Sequence, residues 1–92
     1  MALKYIKLEE NEMLLKTVFA ENFYGSRVAW DQEIAIVFNP SVVSPMFPLG
    51  EYTVKQAYLF NGDEQPTEFT PRPFANYEEA LANYNERIRT TL

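Results

Sequence analysis

The sequence contains no cysteine and no histidine among its 92 residues. Their absence excludes zinc sites of the usual Cys/His type, thiol nucleophiles, histidine general bases and histidine-based pH switches. Because most common enzyme chemistries need one of these groups, we expect a protein that is not an enzyme and that uses no cofactor and no metal. A small enzyme working through Glu, Asp, Tyr or Lys is the least favoured alternative.

Basic residues are also scarce, since 8 Lys and Arg stand against 13 Asp and Glu, for a formal net charge of -5. This balance disfavours direct binding to nucleic acid, where affinity comes from clustered basic side chains. The N-terminus carries no apolar segment of the signal-peptide type. The uncharged stretch from Ile34 to Gly50 is broken by three prolines, so it does not predict a membrane span. We expect a soluble, cytoplasmic protein.

Hydrophobic residues make up 47% of the chain and aromatic residues 15%, enough to build a core without disulfides. The length predicts a single domain over residues 1–92. The residues from Arg27 to Phe38 alternate between apolar and mixed positions, which is typical of a half-buried strand. Gly25-Ser26, directly before this strand, is typical of a two-residue hairpin turn.

This turn predicts a register in which Tyr24 lies opposite Arg27 and Thr17 lies opposite Ile34. Leu15, Phe19 and Phe23 would then join the apolar face of the sheet. The alternative is a helix from Asn11 to Tyr24, because the same apolar residues also fit a helical stripe.

Three further strands are predicted, at Leu3 to Glu9, at Glu51 to Phe60 and, as a short edge strand, around Thr67 to Thr70. Asn76 has the features of a helix N-cap, with Glu79 at the capping-box position. The helix that follows presents one apolar stripe, formed by Tyr77, Ala80, Leu81, Tyr84, Ile88 and Leu92. The predicted fold class is α+β: an antiparallel β-meander of four or five strands with the C-terminal α-helix packed on one face.

The best candidate for a functional site is the segment from Asn39 to Gly50. Its prolines exclude regular structure, yet its side chains are more apolar than those of an ordinary surface loop. The segment is either a lid over the core of the protein or a loop that binds a partner. Its candidate contact residues are Val42, Val43, Met46, Phe47 and Leu49.

Two acidic groups are weaker candidates. Glu9, Glu10 and Glu12 lie at a predicted turn, and Asp31 and Glu33 share one face of the central strand, about 7 Å apart. The favoured interpretation of both groups is that they are solvated. We nevertheless expect a small acidic protein-binding module, an inhibitor or regulator that docks on a larger protein. One partner that suits its negative charge is a nucleic-acid enzyme with a basic channel. The alternative is that this protein is a structural subunit of a homo-oligomer such as a homodimer.

Overall fold

The computed structural model describes residues 3–24 and 27–91, with side chains at all of these positions except 23, 24, 27, 28 and 91. The chain forms an antiparallel five-stranded sheet and one C-terminal helix, which confirms the predicted α+β fold class. The elements are β1 at Met13–Tyr24, β2 at Arg27–Asn39, β3 at Glu51–Phe60, β4 at Thr67–Glu68, β5 at Arg72–Phe74 and α1 at Tyr77–Thr91.

The strand order is β1-β2-β3-β4, and β5 also pairs with β3. Strand β1 therefore lies at the edge of the sheet, and β2 pairs with strands on both sides. Trp30 of β2 pairs with Phe60, the last residue of β3, so the β1–β2 hairpin continues past the end of β3. This hairpin contributes to the elongated shape of the protein, which measures 48 × 25 × 22 Å.

The strand interpretation of residues 13–24 is confirmed, and the alternative helix is wrong. The predicted turn, Gly25-Ser26, lies outside the described residues, but Tyr24 does pair with Arg27 and Phe23 with Val28 as predicted. The register then shifts by one residue, because Ala29 of β2 has no partner in β1. Such a bulge reverses the face on which the following side chains lie.

The prediction that Leu15 and Phe19 join the apolar face is therefore wrong. Val18, not Thr17, lies opposite Ile34, and Val18 is the β1 residue that packs against the main core. Phe19 lies opposite Glu33 on the other face, and a second bulge leaves Leu15 unpaired.

The helix α1 packs on the face of the sheet that carries Ile34, Ile36 and Val54. The Asn76 side chain accepts a hydrogen bond from the backbone N–H of Glu79 at 2.9 Å, which confirms the predicted N-cap. Ala80 and Tyr84 are buried, and other residues of the predicted stripe pack around them. Of the six residues of the predicted stripe, Leu92 alone lies outside the described residues. The core of this face consists of Ile34, Ile36, Val54, Ala80 and Tyr84, with Val18, Tyr52, Phe74, Tyr77, Leu81 and Ile88 packed against it.

The face of the sheet opposite to the helix also carries a buried cluster, which the sequence did not predict. Residues 3–9 do not form a strand beside β1 as predicted, but an irregular segment that we call the N-terminal strap. Ile6 of the strap packs with Ala35 of β2 and Ala57 of β3. The expected pairing of the strap with β1 is absent because a buried carboxylate, described below, binds its backbone N–H groups instead.

Candidate functional site

The loop between β2 and β3, residues 40–49, has a well-defined backbone despite its three prolines. Asn39 fixes its start, because its side-chain oxygen accepts a hydrogen bond from the N–H of Ser41 at 2.9 Å. Ser44 and Phe47 exchange two backbone hydrogen bonds, of 3.0 and 3.2 Å, and the Phe47 carbonyl also accepts one from the N–H of Gly50. We call this segment the apolar loop.

Gly50 fixes the end of the apolar loop. Its φ of +117° lies in a region that L-residues with a side chain rarely adopt. A Cβ atom at this position would lie only 2.7 Å from the ring of Phe38, so the space is filled as well. Phe38 in turn stacks on Tyr52, with 4.5 Å between the ring centroids. The loop is therefore anchored at both ends to the sheet.

The apolar side chains of this loop point largely into solvent. Leu49 is 83% exposed, Met46 74%, Val43 61% and Val42 37%, whereas Phe47 is half-buried. A lid would bury these side chains against the sheet, so the interpretation of the loop as a lid is wrong. The five predicted contact residues instead lie together on one short, ordered and mostly exposed segment.

The acidic candidates are dispersed in the structure. Glu9 and Glu10 are exposed, but Glu12 forms a salt bridge with Lys55 at 2.6 Å. Lys55 also donates to the backbone carbonyl of Lys7, so it helps to hold the strap. These contacts give Glu12 a structural environment that differs from the solvated turn we expected.

Asp31 and Glu33 lie beneath the N-terminal strap, and the expectation that they are solvated strand charges is wrong. The carboxylate of Glu33, only 2% exposed, accepts hydrogen bonds from the backbone N–H groups of Lys4, Tyr5 and Ile6 at 2.8, 2.9 and 2.9 Å. The Tyr5 hydroxyl donates to Asp31 at 2.7 Å. The pKa of Tyr5 is raised to about 12. The largest cause is this hydrogen bond to Asp31, and desolvation and the nearby negative charges contribute less.

A cluster of aromatic rings lies at the end of the sheet opposite to the apolar loop. Trp30 and Phe60 stand 6.0 Å apart, and Tyr58 contacts both Phe60 and Phe69 edge to face. These four rings line an open cavity of about 600 Å³ together with Gln32, Gln56 and Thr90.

Two buried glutamines lie at this cavity. The Gln56 amide donates to Gln32 at 3.4 Å and accepts a hydrogen bond from Arg87 at 3.3 Å. Desolvation, with a contribution from the nearby Arg72, lowers the pKa of Arg87. The sequence carried one signal of this network, since Gln32 and Gln56 each interrupt an otherwise apolar row of a strand. Two such interruptions on neighbouring strands indicate a buried polar pair.

Within residues 3–24 and 27–91, no group of three or more acidic side chains is arranged to hold a metal ion. In the same part of the chain, no helix has the length and apolar character needed to cross a membrane. Comparison with protein-family models, with curated proteins and with solved structures gave no match to this chain.

Proposed function

We propose that this protein is a non-enzymatic binding module that docks on a larger protein through the apolar loop. The observation that carries the proposal is the exposure of Val43, Met46 and Leu49 on a backbone that is already ordered. An ordered loop loses little conformational entropy on binding, so more of the contact free energy appears as affinity. The binding role extends to inhibition or regulation of the partner, in the cytoplasm.

The partner surface that suits this loop is an apolar groove without charged residues at its centre. No residue between Ile34 and Gly50 is charged, so burial of the loop desolvates no charge of this protein. Occupation of a basic channel receives less support from the structure. Of the five acidic residues considered for that role, Glu12, Asp31 and Glu33 are engaged with groups of this protein, and only Glu9 and Glu10 are exposed.

The test compares the wild-type protein with the double variant Met46→Ser, Leu49→Ser as bait in lysate of the native host. Because both side chains are mostly exposed, we expect the variant to keep its stability within about 0.5 kcal/mol. We expect one host protein to be retained in stoichiometric amount by the wild type and to be lost with the variant. Leu8→Ser is the matched control, since Leu8 is an exposed leucine far from the loop in sequence.

A photoreactive phenylalanine analogue at position 46 should cross-link to the same partner, and one at position 8 should not. Retention should persist in 0.5 M NaCl, because apolar contacts are not screened by salt. The proposal is overturned if no protein is retained, if the double variant binds as well as the wild type, or if the cross-link forms from position 8. Loss of binding at high salt would instead support an acidic surface as the contact.

A further inference from the structure

The outer edge of β1 has no partner strand in the described part of the chain. An edge strand presents a row of backbone N–H and C=O groups that another strand can bind. Between the two bulges, the stretch from Lys16 to Asn22 is regular and contains no proline. This stretch is long enough for seven consecutive residues to pair with another chain.

The charges along this edge are incompletely balanced within one chain. Glu21 lies directly opposite Asp31, and like charges in directly opposed positions of a sheet destabilise it. Lys4, on the same face, places its ammonium group 4.3 Å from the centroid of the Phe19 ring. Phe19 is two residues from Glu21 along the edge strand. A cation and an anion therefore lie near each other along one open edge.

We propose that a second copy of this chain pairs with this edge, antiparallel, about a two-fold axis that passes through Phe19 perpendicular to the sheet. In this register Phe19 lies opposite its own counterpart, and Thr17 lies opposite Glu21 of the second copy. Glu21 of the second copy then becomes a diagonal neighbour of Phe19, roughly 7 Å away. The ammonium group of Lys4 lies over Phe19, so it is near Glu21 of its own chain, two residues along the strand, and gains Glu21 of the second copy as a second acidic neighbour. The dimer thus adds two identical intermolecular ion pairs.

Symmetry and charge select this register among the neighbouring ones. A two-fold axis perpendicular to the sheet keeps each face on its own side, so an axis through a residue must pair that residue with itself. An axis through Val18 places Glu21 opposite the bulged Leu15, four residues along the strand from Phe19 and the Lys4 ammonium group above it. An axis through Ala20 brings the two Glu21 side chains into diagonal contact, which is repulsive. The axis through Phe19 is the one of these three that brings Glu21 near Lys4 and away from its own copy.

The first test is a charge exchange followed by sedimentation velocity between 1 and 200 μM protein. We expect Lys4→Glu and Glu21→Lys each to raise the dimer dissociation constant about tenfold, because each creates two repulsive pairs. Each single variant alone should thus dimerise poorly, but an equimolar mixture of the two should form a heterodimer as tight as the wild type. In that heterodimer both ion pairs are restored, one with each orientation of charge. Glu21→Lys also removes the repulsion from Asp31, so lost dimerisation is not explained by a damaged monomer.

The second test uses the absence of cysteine in the natural chain. In Phe19→Cys the two sulfurs face each other across the axis, whereas in Ala20→Cys the equivalent Cα atoms are diagonal and too far apart for a disulfide. We expect the first variant to oxidise to a covalent dimer much faster than the second. The proposal is overturned by a monomer at 200 μM, by a dimer that both charge reversals leave intact, or by faster cross-linking through position 20. A dimer that dissociates in Met46→Ser, Leu49→Ser would assign self-association to the apolar loop instead.

Discussion

Substitution of Glu33 by Gln should detach the N-terminal strap from the sheet. The Glu33 carboxylate accepts three backbone hydrogen bonds. The N–H of Lys4 donates to one oxygen, and the N–H groups of Tyr5 and Ile6 donate to the other. A glutamine can still accept two of these bonds through its carbonyl oxygen, but its amide group then opposes the third donor. The two remaining bonds also lose the negative charge that strengthens them.

The size of the effect follows from these three bonds. A hydrogen bond to a charged group contributes about 1.5–3 kcal/mol and a neutral one about 0.5–1.5 kcal/mol, so the lost charge costs roughly 1 kcal/mol for each retained bond. The unmatched donor adds roughly 1 kcal/mol or more, for a total near 3 kcal/mol. The strap limits this cost, because it can leave the sheet and return its N–H groups to water. A domain of this length is stable by roughly 5–14 kcal/mol, so the change is large.

Urea unfolding is a suitable assay, since the fluorescence of the single tryptophan, Trp30, reports on the sheet. With an m-value of about 1.5 kcal/mol/M, the full cost corresponds to a fall of roughly 2 M in the unfolding midpoint, and detachment of the strap makes the observed fall smaller than this. The backbone amides at positions 4–6 should lose their protection from hydrogen exchange at urea concentrations below those that unfold the whole protein. Glu10→Gln is the control, because Glu10 is exposed and its substitution should change stability by less than about 0.5 kcal/mol. Equal midpoints for the two variants, or full protection of these amides in Glu33→Gln, would refute the reasoning.

Two further predictions concern backbone strain and ionisation. Gly50→Ala should destabilise the protein by roughly 3 kcal/mol, because strain at positive φ adds to contact with the Phe38 ring. Gly62→Ala, also at positive φ but with open space around the position, should cost only about 1 kcal/mol in the same urea assay, and equal costs would remove the role of Phe38. Because the pKa of Tyr5 is raised from 10.0 to about 12, the stability from its hydrogen bond should be complete below pH 10 and be lost as the pH rises towards 12. Ultraviolet titration should show a late tyrosine that Tyr5→Phe removes, and an unchanged titration in that variant would contradict the assignment.

Local sequence patterns predicted those parts of the fold whose cause is local. The N-cap at Asn76 and the strand pairing next to the turn depend on residues close together in the chain, and both predictions are confirmed. Ala29, the bulged residue, contacts a part of the chain outside the hairpin, since its carbonyl accepts a hydrogen bond from the N–H of Asn61. No pattern within the hairpin itself indicates the bulge, and the error in the predicted register of β1 follows from the bulge.

The strap was mispredicted for a similar reason. Its alternating residues are compatible with a strand, but its backbone donors bind a side chain, Glu33, 27 to 29 residues away. The apolar composition of the loop, in contrast, can be read directly from the sequence. The exposure of its side chains could not be predicted, since apolar residues are on average more often buried than exposed. A loop rich in apolar side chains therefore permits both interpretations until the structure is known.

The way in which Glu33 binds the strap also determines which N-terminal sequences the protein tolerates. Its carboxylate accepts hydrogen bonds from the backbone N–H groups at positions 4–6. Every amino acid except proline supplies such a donor, so the polar part of this contact is indifferent to side-chain identity. The chain has six prolines, and none lies within the strap. Substitutions at positions 4 and 5 thus keep the hydrogen bonds to Glu33 unless proline is introduced, and their cost comes from side-chain contacts such as that of Lys4 with Phe19 and the bond of Tyr5 to Asp31.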